Sequence, residues 1–455
     1  MSNCKTKILL VSTIHKDEII NLLSNLNKLN FCFDAIEIKN LYYLSKDEII
    51  KNLPKNWESY DVIIVPGNLI WDFSDYGGKI VKGTESHYCL AKFLFYLDPK
   101  KFSPKNPVEK EFKDINEEIN NKILLEVNEQ NNFIYKIKNL RIPLRPPPMI
   151  IFSEVFLNNQ YDYKSILDLA KNYVDDGSSA IVIGYIPGME LGYLKNLINL
   201  LKNELNVPIG LDAPPIILEK FSKDIDIIMS FTLEEYLEKK ELIKDKASVV
   251  VINEINSDIV KKINTLIKNG AKIILDPLGM PPIYPGFLNS LIKARDLANK
   301  INAPIMIGLN NVEELSDVDS IGLNGLATFL SYEAGISIIL TGEVSVKARG
   351  SVYEIKKAID MASISAKLKK PPKDLSVNLL YSKEKDWFNN NKFKIYGKRN
   401  VIKIEFKGLS YEINCKERCP IGFLFDMKDV NIKEIVKISN LIYRYCLPWS
   451  NNWQC

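Results

Sequence analysis

Two stretches of the sequence end an apolar run on a carboxylate with proline close behind: "ILDPLG", carrying Asp276, and "GLDAPP", carrying Asp212. Proline cannot extend a central strand, so each run reads as a buried strand that stops with its aspartate at the C-terminal end. Other apolar runs end on hydrogen-bonding groups as well. Ser153 and Glu154, Gly184 and Tyr185, Ser230, Asn253 and Glu254, Asn310 and Asn311 of "GLNN", and Glu343 of "TGE" all stand at such ends. Carboxylates and amides gathered at one mouth suit a neutral heterocycle rich in N–H donors and ring-nitrogen acceptors. Beyond the last run, "VKARGS" supplies Lys347 and Arg349, cations suited to a phosphate or diphosphate, with Arg as the bidentate partner. The candidate set is therefore Asp212, Asn253, Asp276, Asn310 and Asn311 for the ring, and Lys347 and Arg349 for the phosphate and its chemistry. An aspartate before proline also serves as a turn former or helix cap. Its repetition at two strand ends favours function.

Those ends need a scaffold. From Met149 onward, eight apolar runs alternate with segments of helical spacing: 149–153, 180–184, 207–211, 226–230, 248–253, 271–275, 303–308 and 335–340. Eight strand–helix units of this size predict a closed (βα)8 TIM barrel over 146–370, with a doubly wound open sheet as the runner-up. Such barrels carry their chemistry at the C-terminal strand ends, where the candidate residues fall. Before the barrel, "TKILLVST", "CFDAIEI" and "DVIIVPGN" alternate with helical segments, which predicts a flavodoxin- or Rossmann-like parallel α/β domain over 1–142. It has no G-x-G-x-x-G and no Walker motif, so docking or a structural role is expected of it over nucleotide binding. Four prolines in the eight residues Arg141–Pro148 read as a stiff linker. After 375 the patterning is less regular: "KFKIYG" and "VIKIEFKG" alternate like a hairpin and "NIKEIVKISNLIYRYC" reads as a helix, giving a small α+β domain to 455.

The chain has 455 residues, enough for two or three domains, with 46% hydrophobic and 25% charged residues, the usage of a globular protein. A net charge of +4, with lysines scattered among acids, argues against a nucleic-acid or membrane-surface partner. No apolar run nears the ~18 residues of a membrane span, and "MSNCKTKILLVST" lacks a signal-peptide pattern. Seven cysteines, odd in number and widely spread, favour reduced thiols and a cytoplasmic address over a disulfide framework. The two histidines, His15 and His87, lie outside the barrel, which excludes a His-based triad or His-rich metal site there. "CKERC", Cys415 to Cys419, has metal-compatible spacing but no second pair and no nearby His, so no resident metal site is read from it. A homodimer is the expected assembly.

At the strand ends the sequence resembles the pterin-binding barrel superfamily, the dihydropteroate synthases and pterin-dependent methyltransferases. "ILDPLG" is similar to the synthase strand-six motif, "VPIGLDAP" to the strand-three motif, and "GLNNV" to the Gly-Leu-Ser-Asn-Val of the methyltransferase branch. The resemblance covers 146–370, and the whole layout looks like the archaeal dihydropteroate-synthase-related proteins connected with tetrahydromethanopterin. It implies that Asp212, Asp276 and Asn311 grip the pterin edge. It also implies a synthase in which an arylamine, in that pathway an arylamine phosphate, displaces diphosphate from a 6-hydroxymethyl-dihydropterin diphosphate, with Mg²⁺ at the diphosphate. Methyl transfer from a methyl-tetrahydropterin to a corrinoid partner is the alternative, and non-catalytic pterin binding a third. The sequence departs from the family at three places. Met229 stands where strand four carries asparagine, leaving Asn253 to supply that hydrogen bond. "FSEVFLNN" replaces the strand-one loop motif. Strand seven lacks Arg-Lys-Ser, for which Lys347 and Arg349 are the substitutes.

Overall fold

In the computed structural model, the described residues are 6–23, 26, 31–129, 132–156, 162–241, 243 and 245–380, together with the strands of 393–398, 401–406 and 409–414. Contacts divide the chain into two compact units, Met1–Asn378 and Leu379–Cys455.

The first unit holds two parallel sheets. The smaller is built from β1 (Thr6–Ser12), β2 (Phe31–Glu37), β3 (Val62–Val65) and β4 (Ile80–Lys82), in the order β2-β1-β3-β4, every neighbour parallel. β3 is apolar throughout and β1 is apolar from Ile8 to Val11, and these runs are buried on both faces, which is how central parallel strands bury themselves. On one face they meet the helices Lys16–Leu23, His87–Tyr96 and Lys113–Glu129. Cys32 on β2 is disulfide-bonded, which corrects the expectation of reduced thiols. Cys89 is free and buried.

A short antiparallel hairpin follows, β5 (Phe133–Ile137) with β6 (Leu140–Pro143). Ile137 and Ile142 pack into the barrel interior, and the Tyr135 hydroxyl donates to Ile273 O at 3.1 Å, so the hairpin seals the N-terminal end of the barrel. The proline-rich run read as a linker thus begins inside a strand. It is also anchored: the Arg145 guanidinium donates to the carbonyls of Leu144, Ala298, Ile301 and Ala303.

The larger sheet has eight parallel strands: β7 (Ile150–Phe156), β8 (Ala180–Gly184), β9 (Ile209–Asp212), β10 (Ile227–Thr232), β11 (Ala247–Val251), β12 (Ile273–Asp276), β13 (Met306–Gly308) and β14 (Ile338–Thr341). Their order runs β12-β11-β10-β9-β8-β7-β14-β13, and a parallel bridge between Leu275 and Ile305 joins the two ends into a nearly closed barrel. Side chains alternate between faces. Ile151, Ile181, Ile209, Leu211, Ile273 and Ile339 point outward onto the helices, while Phe152, Val182, Met229, Val249, Ile274 and Leu340 fill the interior. Each such side chain removed from water contributes ~1.5–3 kcal/mol. Three of the intervening helices start on side-chain caps: Asp162 on Ser165 N, a Thr232–Glu235 capping box and Asn256 on Ile259 N. The barrel's last helix, Ser351–Leu368, places Ile364 and Leu368 in the core of the smaller sheet, so the two sheets share one body.

The second unit shows a three-stranded antiparallel sheet, β15 (Phe393–Lys398), β16 (Val401–Phe406) and β17 (Leu409–Asn414). The expected terminal helix and Cys415–Cys419 lie outside the described residues. Among the described residues no helix is long and apolar enough to cross a membrane.

Candidate functional site

The alternation that fills the barrel also decides what reaches its mouth. Two residues beyond each interior apolar side chain the next inward position falls at the C-terminal end: Glu154 after Phe152, Gly184 after Val182, Asp276 after Ile274, Gly308 after Met306, and Gly342 after Leu340. On β9 the inward pair is Gly210 and Asp212, and Asp212 stands opposite Gly184 on one side and Met229 on the other. The top tier therefore holds three carboxyls and three glycines, with Met229 on β10 beside Asp212 and Val251 on β11 beside Asp276. Glycine is required at Gly342, where backbone lies in the way, while a Cβ on Gly308 would meet nothing within 4 Å. A Cβ on Gly184 would lie 2.8 Å from Glu154 Oε1, and one on Gly342 would lie 2.6 Å from Glu154 O and 3.5 Å from Asn310 Nδ2. Beside this tier opens a cavity of about 470 Å³, lined by Phe156, Gly184, Asp212, Pro214, Ser230 and Glu235 among others. Apolar walls with few polar groups are the usual make-up of a small-molecule site.

The carboxyls differ in state. Glu154 is only 7% exposed and has no hydrogen-bond or ion-pair partner among the described residues. Burial, then the nearby Asp212 charge, pushes its pKa up to about 8, so at neutral pH it is a neutral acid with a proton to donate. Asp212 is also raised by burial. Asp276 is raised to about 6, burial again being the main cause. The Leu278 N–H, donating to its Oδ1 at 2.8 Å, and the Lys293 charge pull it down, while Asp212 pushes it up. One mouth thus offers both acceptor carboxylates and a donor acid.

Asp212 and Asp276 stand in this tier. Asn310 is the first residue of the helix Asn310–Glu314 and comes close to it; its Oδ1 is buried without a partner. Asn311 is exposed, and its Nδ2 donates to Gly279 O at 2.8 Å, fastening the loop after β12. Asn253 lies beyond the end of β11 and is exposed. Lys347, in the turn Val346–Ala348, donates to Glu314 O at 2.8 Å and Ser316 O at 3.0 Å and lies 3.3 Å from Asp317 Oδ1, so its ammonium is occupied by the loop after β13. Arg349 is exposed. The structure therefore gathers Asp212, Asp276 and Asn310, and leaves Asn253, Asn311, Lys347 and Arg349 outside that group. Two residues at the site were outside the candidate set read from sequence, although Glu154 was named there at a strand end. Glu154 had a signal, a charged residue inside the apolar strand "IIFSEVF". Lys293, on the helix Phe287–Lys300, had none. Among the described residues no group of three or more His, Cys, Asp or Glu side chains is arranged to hold a metal ion.

No protein-family model matches the chain. An uncharacterized protein of Methanocaldococcus jannaschii is 26% identical over 367 residues, spanning 74% of this chain and 69% of that protein. Among solved structures, the dihydropteroate synthase of Yersinia pestis is similar at 16% identity and a TM-score of 0.39, covering 52% of this chain and 99% of the synthase. The 7,8-dihydropteroate synthase of Vibrio fischeri ES114 is similar at 16% identity and a TM-score of 0.38, covering 52% of this chain and 96% of the other.

Proposed function

We propose that the barrel binds a reduced pterin and acts on it as a transferase. The observation that carries this reading is the top tier itself: Asp212, Asp276 and Glu154, the last with no partner among the described residues, beside open space at Gly308 and a cavity lined by Gly184 and Asp212. The 2-amino-4-oxo edge of a pterin presents adjacent N–H donors beside ring-nitrogen and carbonyl acceptors. Carboxylates at Asp212 and Asp276 accept from the donors, and neutral Glu154 donates to an acceptor, a role that Met229 on β10 cannot fill. A charge-assisted hydrogen bond of this kind contributes ~1.5–3 kcal/mol. The motifs "ILDPLG" and "VPIGLDAP" support the same assignment.

For the reaction, we favour displacement of diphosphate from a 6-hydroxymethyl-dihydropterin diphosphate by an arylamine, in a folate-like route such as that to tetrahydromethanopterin. The amine nitrogen forms a bond to the exocyclic methylene carbon, the C–O bond to diphosphate breaks, and the amine loses a proton. Alignment of the two reactants supplies most of the acceleration. Arg349 is the rim cation free to meet the leaving diphosphate, and Mg²⁺ arrives with that substrate as its counter-ion. The occupied Lys347 ammonium favours the second reading, transfer of a methyl group from a methylpterin, which has no diphosphate to hold. Calorimetric titration with a reduced pterin, and with its 6-hydroxymethyl diphosphate plus Mg²⁺, separates the two. Tighter binding of the diphosphate supports the synthase, binding of the bare pterin alone supports methyl transfer or a carrier, and no binding of either overturns the pterin assignment.

A further inference from the structure

Two neighbouring barrel helices turn apolar side chains to water. The helix Phe287–Lys300 buries Leu291, Ala294 and Leu297 against the barrel and leaves Leu288 and Ile292, about one turn apart, exposed. The helix Ser320–Glu333 reverses the usual pattern. Its buried side is small and polar, with Ala327, Thr328 and Ser331 inside and Asn324 donating to Ser351 Oγ at 3.1 Å, while Leu326 and Leu330 are exposed. A surface helix normally turns its apolar stripe inward and its polar face outward. One helix precedes β13 and the other follows it, so both run from the mouth to the base of the barrel, side by side. At the base a Cβ added to Gly335 would lie 3.1 Å from Ala298 Cβ. Counting ~3.6 residues per turn from each buried face puts Leu288 and Ile292 on the outer side of one helix, turned towards the other, and Leu326 and Leu330 on the answering side. At the mouth end, the loops entering the two helices continue the patch. Ile283 and Tyr284 are 98% and 86% exposed before the first helix, and Leu315 and Val318 are exposed before the second. Prolines 281, 282 and 285 stiffen the first loop, where Tyr284 N donates to Pro282 O at 2.8 Å and Gly286 N to Pro281 O at 3.2 Å. Its side chains are therefore presented on backbone that is already fixed, which lowers the cost of ordering them against a partner.

We propose that a second copy of this chain docks on this face, the two helices of one protomer packing on the same two of its partner about a two-fold axis. The area is sufficient. Together these side chains expose roughly 900 Å², against the ~800 Å² that each partner gives to a standard stable interface. A monomer's largest apolar patch is usually about 300–600 Å². The charge also fits a second copy better than a charged partner. A two-fold axis sets a patch against itself, so a patch with net charge repels its own copy. No charged residue stands between Ser320 and Tyr332, in a chain with 25% charged residues, and on the first helix Asp296 is paired with Lys300 at 2.8 Å. The exposed charges at the borders include both signs, Arg295 with Asp319 and Glu333. Docking on this face does not depend on what the mouth binds.

The test uses the full chain at about 10 µM, above the micromolar limit for interfaces of this size. Light scattering behind gel filtration should give twice the mass of one chain. Ile292→Asp combined with Leu326→Asp sets four carboxylates into the two-fold face and should weaken self-association at least about a hundred-fold, so the folded double variant should run as a monomer. Tyr43→Asp, at an exposed apolar position beside the smaller sheet, should leave the dimer intact. A parent that is monomeric at this concentration overturns the proposal. So does a dimer that survives the double substitution, or one that is lost equally in Tyr43→Asp. Hydroxyl-radical footprinting of the parent dimer decides the matter should the double variant not fold. Tyr284, Leu288 and Leu326 should be protected from oxidation in the dimer, and reactive side chains there overturn the proposal.

Discussion

The first unit contains two parallel sheets, and the contrast between their C-terminal edges is instructive. At the edge of the smaller sheet the polar groups answer one another. Ser12 Oγ accepts from Ile14 N at 2.9 Å and lies 3.3 Å from His87 Nε2, and the Lys82 ammonium donates to Leu69 O at 2.7 Å. Lys370, behind the barrel's last helix, stands 3.6 Å from both Glu85 and Glu109, and Glu109 in turn accepts from Glu85 N. At the barrel edge the buried Glu154 and Asn310 Oδ1 have no partner among the described residues, and a cavity lined by Gly184 and Asp212 opens at the same edge. Buried polar groups are normally satisfied. The first edge is built for packing between layers, and the second is built for something that binds.

That contrast can be broken in steps. The largest effect is expected at the packing edge. Lys370→Met leaves the buried Glu109 without its cation, while Glu85 keeps Lys373 at 3.0 Å, and should lower stability by about 3–5 kcal/mol in denaturant unfolding. Pterin affinity of the folded variant should not change; a loss of affinity would join the two edges into one site.

Next comes Glu154. Its folded pKa lies above its unfolded value, so the folded state holds the extra proton, and stability falls as pH rises from the ordinary glutamate range to about 8. Glu154→Gln removes that fall, so it should stabilise the protein at alkaline pH by up to about 5 kcal/mol, since each pKa unit is worth about 1.4 kcal/mol. Melting curves on both sides of the upper midpoint read this directly. An alkaline melting temperature equal to that of the parent would mean that Glu154 has a partner.

Asp276→Asn follows, with an expected loss of about 1.5–3 kcal/mol in pterin affinity, tens-fold or more, and little change in stability. Unchanged affinity in a folded variant would remove the carboxylate from the site. The smallest effect is expected for Lys347→Met. It releases the carbonyls of Glu314 and Ser316 and should cost about 0.5–1.5 kcal/mol of stability, with no effect on diphosphate binding, whereas Arg349→Ala should weaken that binding. The opposite outcome would return Lys347 to the phosphate role read from the sequence.

The eight barrel strands were legible because buried parallel strands are short apolar runs at even spacing, and each observed strand overlaps an expected one. β4 and the β5–β6 hairpin were not. "IVK" is too short to stand out, and the hairpin sits against a proline run that reads as irregular. At the site, Asp212 and Asp276 were legible because an Asp with proline close behind it marks a strand end without three-dimensional knowledge. The tier they share with Glu154 was not, since it depends on which face each residue takes across neighbouring strands. Lys347 misled for a related reason: a sequence shows that a cation is near a mouth but not which carbonyls already hold it. Lys293 was invisible because its partners are the backbone oxygens of Ile252 and Pro277, which no side-chain pattern records.

The central claim is that the mouth reads a ligand with a charged Asp276 and a neutral Glu154 together. The measurement that tests it most directly is the affinity of a reduced pterin, by calorimetry, as a function of pH. The account predicts a bell, with binding lost below about 6 as Asp276 takes up its proton and lost above about 8 as Glu154 releases its own. Binding that is absent, or equally tight across both midpoints, would contradict it.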